Sequence, residues 1–562
     1  MKTRIVSDWA DLKPRFLALE RETLTLENAA SWLERWSELT AEVQETDVSL
    51  MTRYHENTVD SEAETAYNRF LSEVYPRSIE AEQRLKSKLL ALEGYVPPLE
   101  HRMILKRFAG EAAIYREANV AFQAECTVLG NEYDKLKASR EVRIGSETLS
   151  IPMAQKRLLE PDRNVREAAW HGLMDYQLGI APETDALFGK LLELRHQETK
   201  NTDFPDFVAY TWQTMSRFDY SPEQARELHE SVKLEVVPLL RELREERKKT
   251  LGLEQLRPWD AQPDPLGREP LKPFSSVGEF EDGLERIFTA LDPELGEMFA
   301  EMRAQGNLEL EERSGKIPNY GYNTFFAQSK QSYIYWNATG AEWDVRVLLH
   351  EAGHAFNFLS SMKANLLVWD IAPPLEFCEV ASQAMELLAL PLLERPIGFY
   401  SSEDAARARR DKLETVLRTM VSVALEDKFQ HWLYTQPSVT VFDLDAKWLE
   451  LSAEFGAGID WSGLEREQAK SWQNGHILTA PLYMLEYAIA WLGALELWKN
   501  SLENPKKALE QYKFALTLGG SRPLPELFEA AGIRFAFDRA TVRELMDFVR
   551  GQLELAEAVT RS

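Results

Sequence analysis

Cysteine is nearly absent from this chain: Cys126 and Cys378 are the only two among 562 residues. They build no disulfide framework, and nothing points to an oxidising compartment. Positive charge is also scarce. Lys and Arg number 65 against 91 Asp and Glu, for a formal net charge of -26. Nucleic acid and anionic membranes both ask for a positive footprint, so neither is expected as a partner. Long apolar runs are missing as well. The most apolar stretch, "YAIAWLGALELW", follows Glu486 and contains Glu496. It falls far short of the ~20 residues that span a bilayer. The N-terminal "MKTRIVSDWADLKPRF" has no apolar core and no cleavage site, so no secretory signal is expected. These absences together predict a cytoplasmic protein. The hydrophobic class makes up 44% and charged residues 28%, ordinary for a soluble globular chain. The acidic excess reads as solubility.

The length alone suggests about three or four structural units. Helical periodicity dominates. Segments 27–45, 61–92, 99–138, 183–198 and 221–252 carry apolar residues at three- and four-residue spacing. In the last, Ser221 is placed to cap and Pro222 to open the helix. The charged run "REERKK" (244–249) reads as a solvated face, and no solenoid-type repeat occurs. Two stretches break the pattern. Residues 257–274, rich in Pro and Gly, read as a surface crossover. Residues 315–343 hold Tyr, Phe and Ile clusters between Ser, Asn and Gly, which predicts two or three short strands. Asn337–Gly340 then turns the chain into "DVRVLLHEAGHAFN" (344–357), with Asp344 at a helix N-terminus.

That last stretch carries the chemistry. His350 and His354 are four apart, so a helix offers both imidazoles to one ion. Glu351 is rotated from His350 by about 100°. It can take a proton from a water that zinc has acidified, without occupying a coordination position. Val345, Val347, Leu348, Leu349, Ala352, Ala355 and Phe356 make the helix apolar almost all round, hence buried. Two buried histidines and a buried glutamate call for a partner, and a metal supplies one. A catalytic site needs a third protein ligand and an open position. Three and six residues after His354 stand Asn357 and Ser360, which excludes the metzincin arrangement. The next helix, within "PPLEFCEVASQAMELLAL" (373–390), offers Glu376, Glu379 and Glu386. Glu376 and Glu379 are one turn apart, and spacing does not choose between them. Glu376 reads as an exposed helix residue. Glu386, two turns beyond Glu379, suits accepting an N–H from a ligand histidine. Cys378 reads as a structural buried thiol, and His171, His196 and His431 as surface or packing residues.

"HEAGH" followed, 25 residues after its second His, by "EVASQAME" resembles the thimet oligopeptidase and oligoendopeptidase F family of zinc metallopeptidases. The similarity is greatest to the oligoendopeptidase F and Pz-peptidase branch. "LLEPDRNVREAAWHG" (158–172), "RFDYSPEQ" (217–224), "LGLEQLRPWD" (251–260), "SGKIPNYGYNT" (314–324) and "TLGGSRPLPELFEAAGI" (517–533) fall in the family's order. The resemblance spans roughly residues 140–550. It implies one zinc ion per chain, held by His350, His354 and Glu379, with Glu351 as general base. It also implies that His476 and the tyrosines Tyr483 and Tyr487, within "NGHILTAPLYMLEYAIAW" (474–491), stabilise the oxyanion. Here Leu485 stands where many relatives have a further tyrosine, and "ILTAP" where some have a glycine-rich stretch.

The fold implied is mainly α: a two-lobed helical ellipsoid with a deep central channel and one small β-sheet beside the zinc site. An N-terminal helical lobe would cover 1–200 and the catalytic helical domain 201–562. The strands at 319–337 would pair with the extended backbone of the substrate. The expected activity is zinc-dependent endopeptidase hydrolysis of short, unfolded oligopeptides. One alternative is a zinc carboxypeptidase or dipeptidyl carboxypeptidase, which needs a cation to capture the substrate's C-terminal carboxylate. Another, of a different class, is a catalytically vestigial peptide-binding protein.

Overall fold

The computed structural model describes residues 6, 8–138, 141–317, 321–436 and 438–561. Its architecture is mainly α, with two small sheets among the described residues. The helices that carry the sites are α1 (Ala29–Glu56), α2 (Pro222–Ser231), α3 (Glu342–Lys363), α4 (Leu375–Leu388), α5 (Ser402–Thr435), α6 (Leu485–Glu503) and α7 (Pro505–Thr517). The strands are β1 (Val142–Ile144), β2 (Glu147–Leu149), β3 (Leu308–Glu311), β4 (Tyr322–Phe326) and β5 (Gln331–Ala338). No helix among the described residues is long and apolar enough to cross a membrane.

The chain forms two compact units, each assembled from three stretches. One contains 1–113, 272–405 and 493–535; the other contains 114–271, 406–492 and 536–562. Length suggested three or four units, and the sequence reading cut the chain once, at residue 200. Position 200 lies inside the second unit, at the end of a helix running from Arg163 to Lys200. A cut drawn along the sequence does not represent units that the chain enters and leaves repeatedly. Residues 257–274 do carry a crossing between units, at 271/272. Their start is buried rather than superficial, with Trp259 5% and Asp260 0% exposed. Arg163 and Arg166 both bind the Asp260 carboxylate, so "LLEPDRNVREAAWHG" and "LGLEQLRPWD" meet as one buried ion cluster.

In the first unit β3, β5 and β4 form a sheet in that order, β3 parallel and β4 antiparallel to β5. Two of the three strands lie within the predicted 315–343, and the third comes from upstream. Residues 318–320, inside the predicted strand span, lie outside the described residues. Gly340 takes φ +81°, a left-handed conformation open to glycine at little cost. It turns β5 into α3. The Asp344 carboxylate then accepts hydrogen bonds from the backbone N–H of Thr339 and Ala341, as expected of an acid at a helix start. Pro374 precedes α4, and every residue of that helix from Glu376 to Leu388 is buried.

Helices α3 and α4 pack face to face. A Cβ on Gly353 would lie 2.5 Å from Ser382 Cα and 2.6 Å from the Ala381 carbonyl oxygen. The glycine of HEAGH therefore admits the backbone of α4. The same Ala381 carbonyl accepts the hydroxyl of Tyr512 from α7 at 2.8 Å, which pins α4 at this contact.

Candidate metal centre and its surroundings

His350, Glu351 and His354 project from α3, and Glu379 and Glu386 from α4. His350 Nε2 and His354 Nε2 lie 3.2 Å apart, and Glu379 Oε2 stands 3.5 and 3.9 Å from them. One donor atom from each of the three residues falls within 4.8 Å of the others. The opposite ring nitrogens are engaged elsewhere. His350 Nδ1 lies 3.1 Å from Glu386 Oε1, and His354 is hydrogen-bonded to the backbone of Cys378. Cys378 Sγ is 3.4 Å from His354 Nδ1. Ser382 Oγ donates to Glu379 Oε2 at 3.1 Å. Both imidazoles are thus oriented from behind, with Nε2 aimed at a common point.

This donor set fits a small tetrahedral cation. Nitrogen and oxygen bonds of about 2.0–2.1 Å place ligand atoms about 3.3–3.4 Å apart. The three observed separations bracket that spacing. Electrostatics agree. Burial alone would lower the His350 pKa, yet the Glu386 hydrogen bond and the charges of Glu379, Glu386 and Glu351 lift it to about 9. His354 goes the other way, held well below its usual value by burial and by the neighbouring His350. Burial raises Glu379, and it raises Glu351 to about 7 against the attraction of His350. Three carboxylates around two imidazoles favour a positive charge here, on a ring or on an ion. Glu351 is further tied by the backbone N–H of Asn323 on β4.

Glu376, expected to be exposed, is 3% exposed and lies outside the three-donor group. The burial of α4 on all sides overrides the reading of Glu376 as a solvent-facing helix residue.

The second expected cluster lies in the second unit. His476 belongs to a short helix, Gly475–Thr479, capped by Asn474, whose side chain accepts from the Ile477 N–H. Its ring is 6.4 Å from that of Tyr483, near parallel at 11°, and 6.5 Å from Tyr487. The two tyrosine rings are 5.6 Å apart, edge to face. His476 is exposed and the tyrosines are half-buried, whereas Leu485 is fully buried. The departure from the family at 485 therefore points into the core.

The loop between His476 and Tyr483 is held by two buried arginines that sequence reading did not single out. Arg195 binds the carbonyl oxygens of Ile477 and Leu478, and Arg217 binds that of Leu482. Leu482 has φ +62°, unusual for a bulky residue, and its N–H donates to Gln430. Arg217 also pairs with the buried Glu486, so "RFDYSPEQ" contributes a clamp for the tyrosine-bearing segment. His431, expected at the surface or in plain packing, is 5% exposed and lies 3.3 Å from Asp427. Its carboxylate partner sits four residues earlier and was legible from spacing.

Helices α3 and α4 with two histidines and a glutamate converging between them define the class, that of a metallopeptidase. The peptidase family M3 model matches residues 158–547, and the chain belongs to that family. It is 27% identical over 329 residues to an oligoendopeptidase F homologue of Borreliella burgdorferi. That alignment covers 57% of this chain and 54% of the relative, about half of its length. Pz peptidase A, solved with an inhibitor, is 25% identical, with 99% of each chain covered and a TM-score of 0.89. A solved protein provisionally assigned as oligoendopeptidase F is also 25% identical, with 98% of each covered and a TM-score of 0.87.

Proposed function

We propose that this protein is a zinc-dependent endopeptidase of the cytoplasm that hydrolyses short, unfolded oligopeptides, with one zinc held by His350, His354 and Glu379. The observation that carries the reading is the convergence of two Nε2 atoms and one carboxylate oxygen at tetrahedral spacing. Cys126 and Cys378 form no disulfide, in keeping with a reducing compartment. When bound, zinc supplies Lewis acidity toward the scissile carbonyl and toward water. Glu351 accepts the proton of the attacking water and passes it to the leaving nitrogen. Glu386 and the Cys378 backbone keep the two imidazoles aimed, while β4 receives the substrate backbone by strand addition. His476, with Tyr483 or Tyr487, is assigned oxyanion stabilisation from the family resemblance, a contribution of about 3 kcal/mol in comparable sites.

Cleavage of a quenched fluorescent peptide tests this. Glu351→Gln is expected to retain zinc and lose turnover, while the wild type is silenced by a chelator and restored by zinc. Unchanged turnover in that variant sinks the mechanism. Equal cleavage of free and C-terminally amidated peptides is expected of an endopeptidase; failure on the amide would favour a carboxypeptidase instead.

A further inference from the structure

Strand β4 is an outer strand of its sheet, and one end of its free edge is already occupied. In an antiparallel pair, alternate residues turn their N–H and C=O away from the partner. On β4 and its extension these are Asn323, Phe325 and Ala327, and each meets a side chain. The Asn323 N–H is bound by Glu351. The Phe325 carbonyl accepts from Gln44 Nε2 at 2.8 Å, and the Ala327 N–H donates to Gln44 Oε1 at 3.2 Å. One side-chain amide thus takes both bonds that the N–H and C=O of one residue in an added strand would take. Past it, Glu45 Oε2 accepts from the N–H of Gln328 and of Ser329, at 2.6 and 2.7 Å. Gln44 and Glu45 come from α1, which packs along this strand through Ala41. Phe325 in turn packs on Phe358, with ring centroids 4.7 Å apart. An amide side chain both donates and accepts in this way; a carboxylate cannot donate.

We propose that Gln44 sets how far the substrate's backbone pairs along β4: it stops the pairing at Phe325, about two residues along β4 from the Glu351 contact at Asn323. This rests on the reading of β4 as the strand that receives the peptide. In the direction of Phe326, substrate residues beyond the second gain no backbone pairing. Binding on that side is then insensitive to chain length, and short peptides lose little against long ones.

The test is a peptide series with a fixed scissile bond, lengthened one residue at a time on either side. It is read with wild type and with Gln44→Met, which keeps the side-chain length and removes both bonds. For the wild type, KM should stop falling after about two residues on one side. In Gln44→Met it should fall a further three- to ten-fold, roughly one net backbone bond, as the third and fourth are added, with kcat little changed. Coincident length profiles overturn the proposal. Amide exchange on the wild type gives a second reading that no variant's folding can spoil. A bound, uncleavable peptide should protect residues 321–325 and leave Ala327, Gln328 and Ser329 unchanged. New protection at those three amides overturns it too. Wild type that cleaves no peptide in a chelator-sensitive way defeats the peptidase reading and this one together. Normal cleavage with coincident profiles defeats only the role of Gln44.

Discussion

Each unit of the chain holds a pair of histidines beside a carboxylate, and the two clusters are closed differently. In the first unit His350 and His354 turn their Nε2 atoms toward each other, with Glu379 beside both. Two ring nitrogens facing at that distance need a proton or a cation between them. In the second unit the carboxylate itself stands between the rings. Asp427 Oδ2 lies 2.7 Å from His229 Nε2 and 3.3 Å from His431 Nε2. A histidine four residues from a metal-capable partner on one helix occurs in both places. What separates them is where the carboxylate goes. Between the rings it stands as partner to both; beside them it leaves a position for an ion. Among the described residues only the first cluster gathers three donors closely enough for a metal.

The largest expected contrast breaks the comparison if it fails. Glu379→Ala should empty the metal centre and abolish cleavage, whereas His431→Ala should leave the zinc content per chain unchanged. Elemental analysis of both after gentle purification reads this directly. Metal loss from His431→Ala would mean that the second cluster is no mere hydrogen-bonded pair.

Next comes the second cluster's contribution to stability. Burial pushes the Asp427 carboxyl up, but the His431 charge and hydrogen bonds to His229 and His431 hold it well below the usual range. A depressed folded value stabilises above the ordinary carboxyl pKa of about 3.9, and that stability is lost as pH falls below it. Asp427→Asn should therefore cost about 3–5 kcal/mol near neutral pH, the scale of a broken buried pair. The gap between its melting curve and that of the wild type should narrow below about pH 4. A gap of constant size across that range contradicts the assignment.

The smallest effect sharpens the first cluster. Glu386→Gln keeps the acceptor oxygen beside His350 but removes the charge, and should weaken metal affinity by about 10–100-fold. Competition with a chromogenic chelator measures it. No change would mean that Glu386 orients the ring by shape alone.

Much of this was legible in the sequence because it is local. Helix periodicity, Ser221 capping, Asp344 at the start of α3 and the one-turn spacing of His350 and His354 all concern residues within a few positions of one another. Ser221 indeed closes a capping box with Gln224. The reading of Glu386 as an acceptor for a ligand histidine came from counting turns along α4. What was not legible depends on contacts between distant segments. Gln44 and Phe325 are 281 residues apart, and Arg217 and Leu482 are 265 apart. Neither pair leaves a periodic trace. The His431–Asp427 pair is local too, one turn apart on α5, and the reading of His431 as a surface or packing residue passed over it. The hairpin β1–β2 is three residues per strand, too short for alternation to register.

Gly353 carries no reactive group, yet it acts as the gauge block of the centre. With a lone hydrogen there, α3 and α4 stand as close as their main chains allow, and that gap sets how far Glu379 reaches toward the two rings. Bond lengths to an ion are fixed by chemistry, whereas the distance between helices is fixed by whichever residue keeps them apart. In this protein the second quantity is matched to the first by the smallest side chain available.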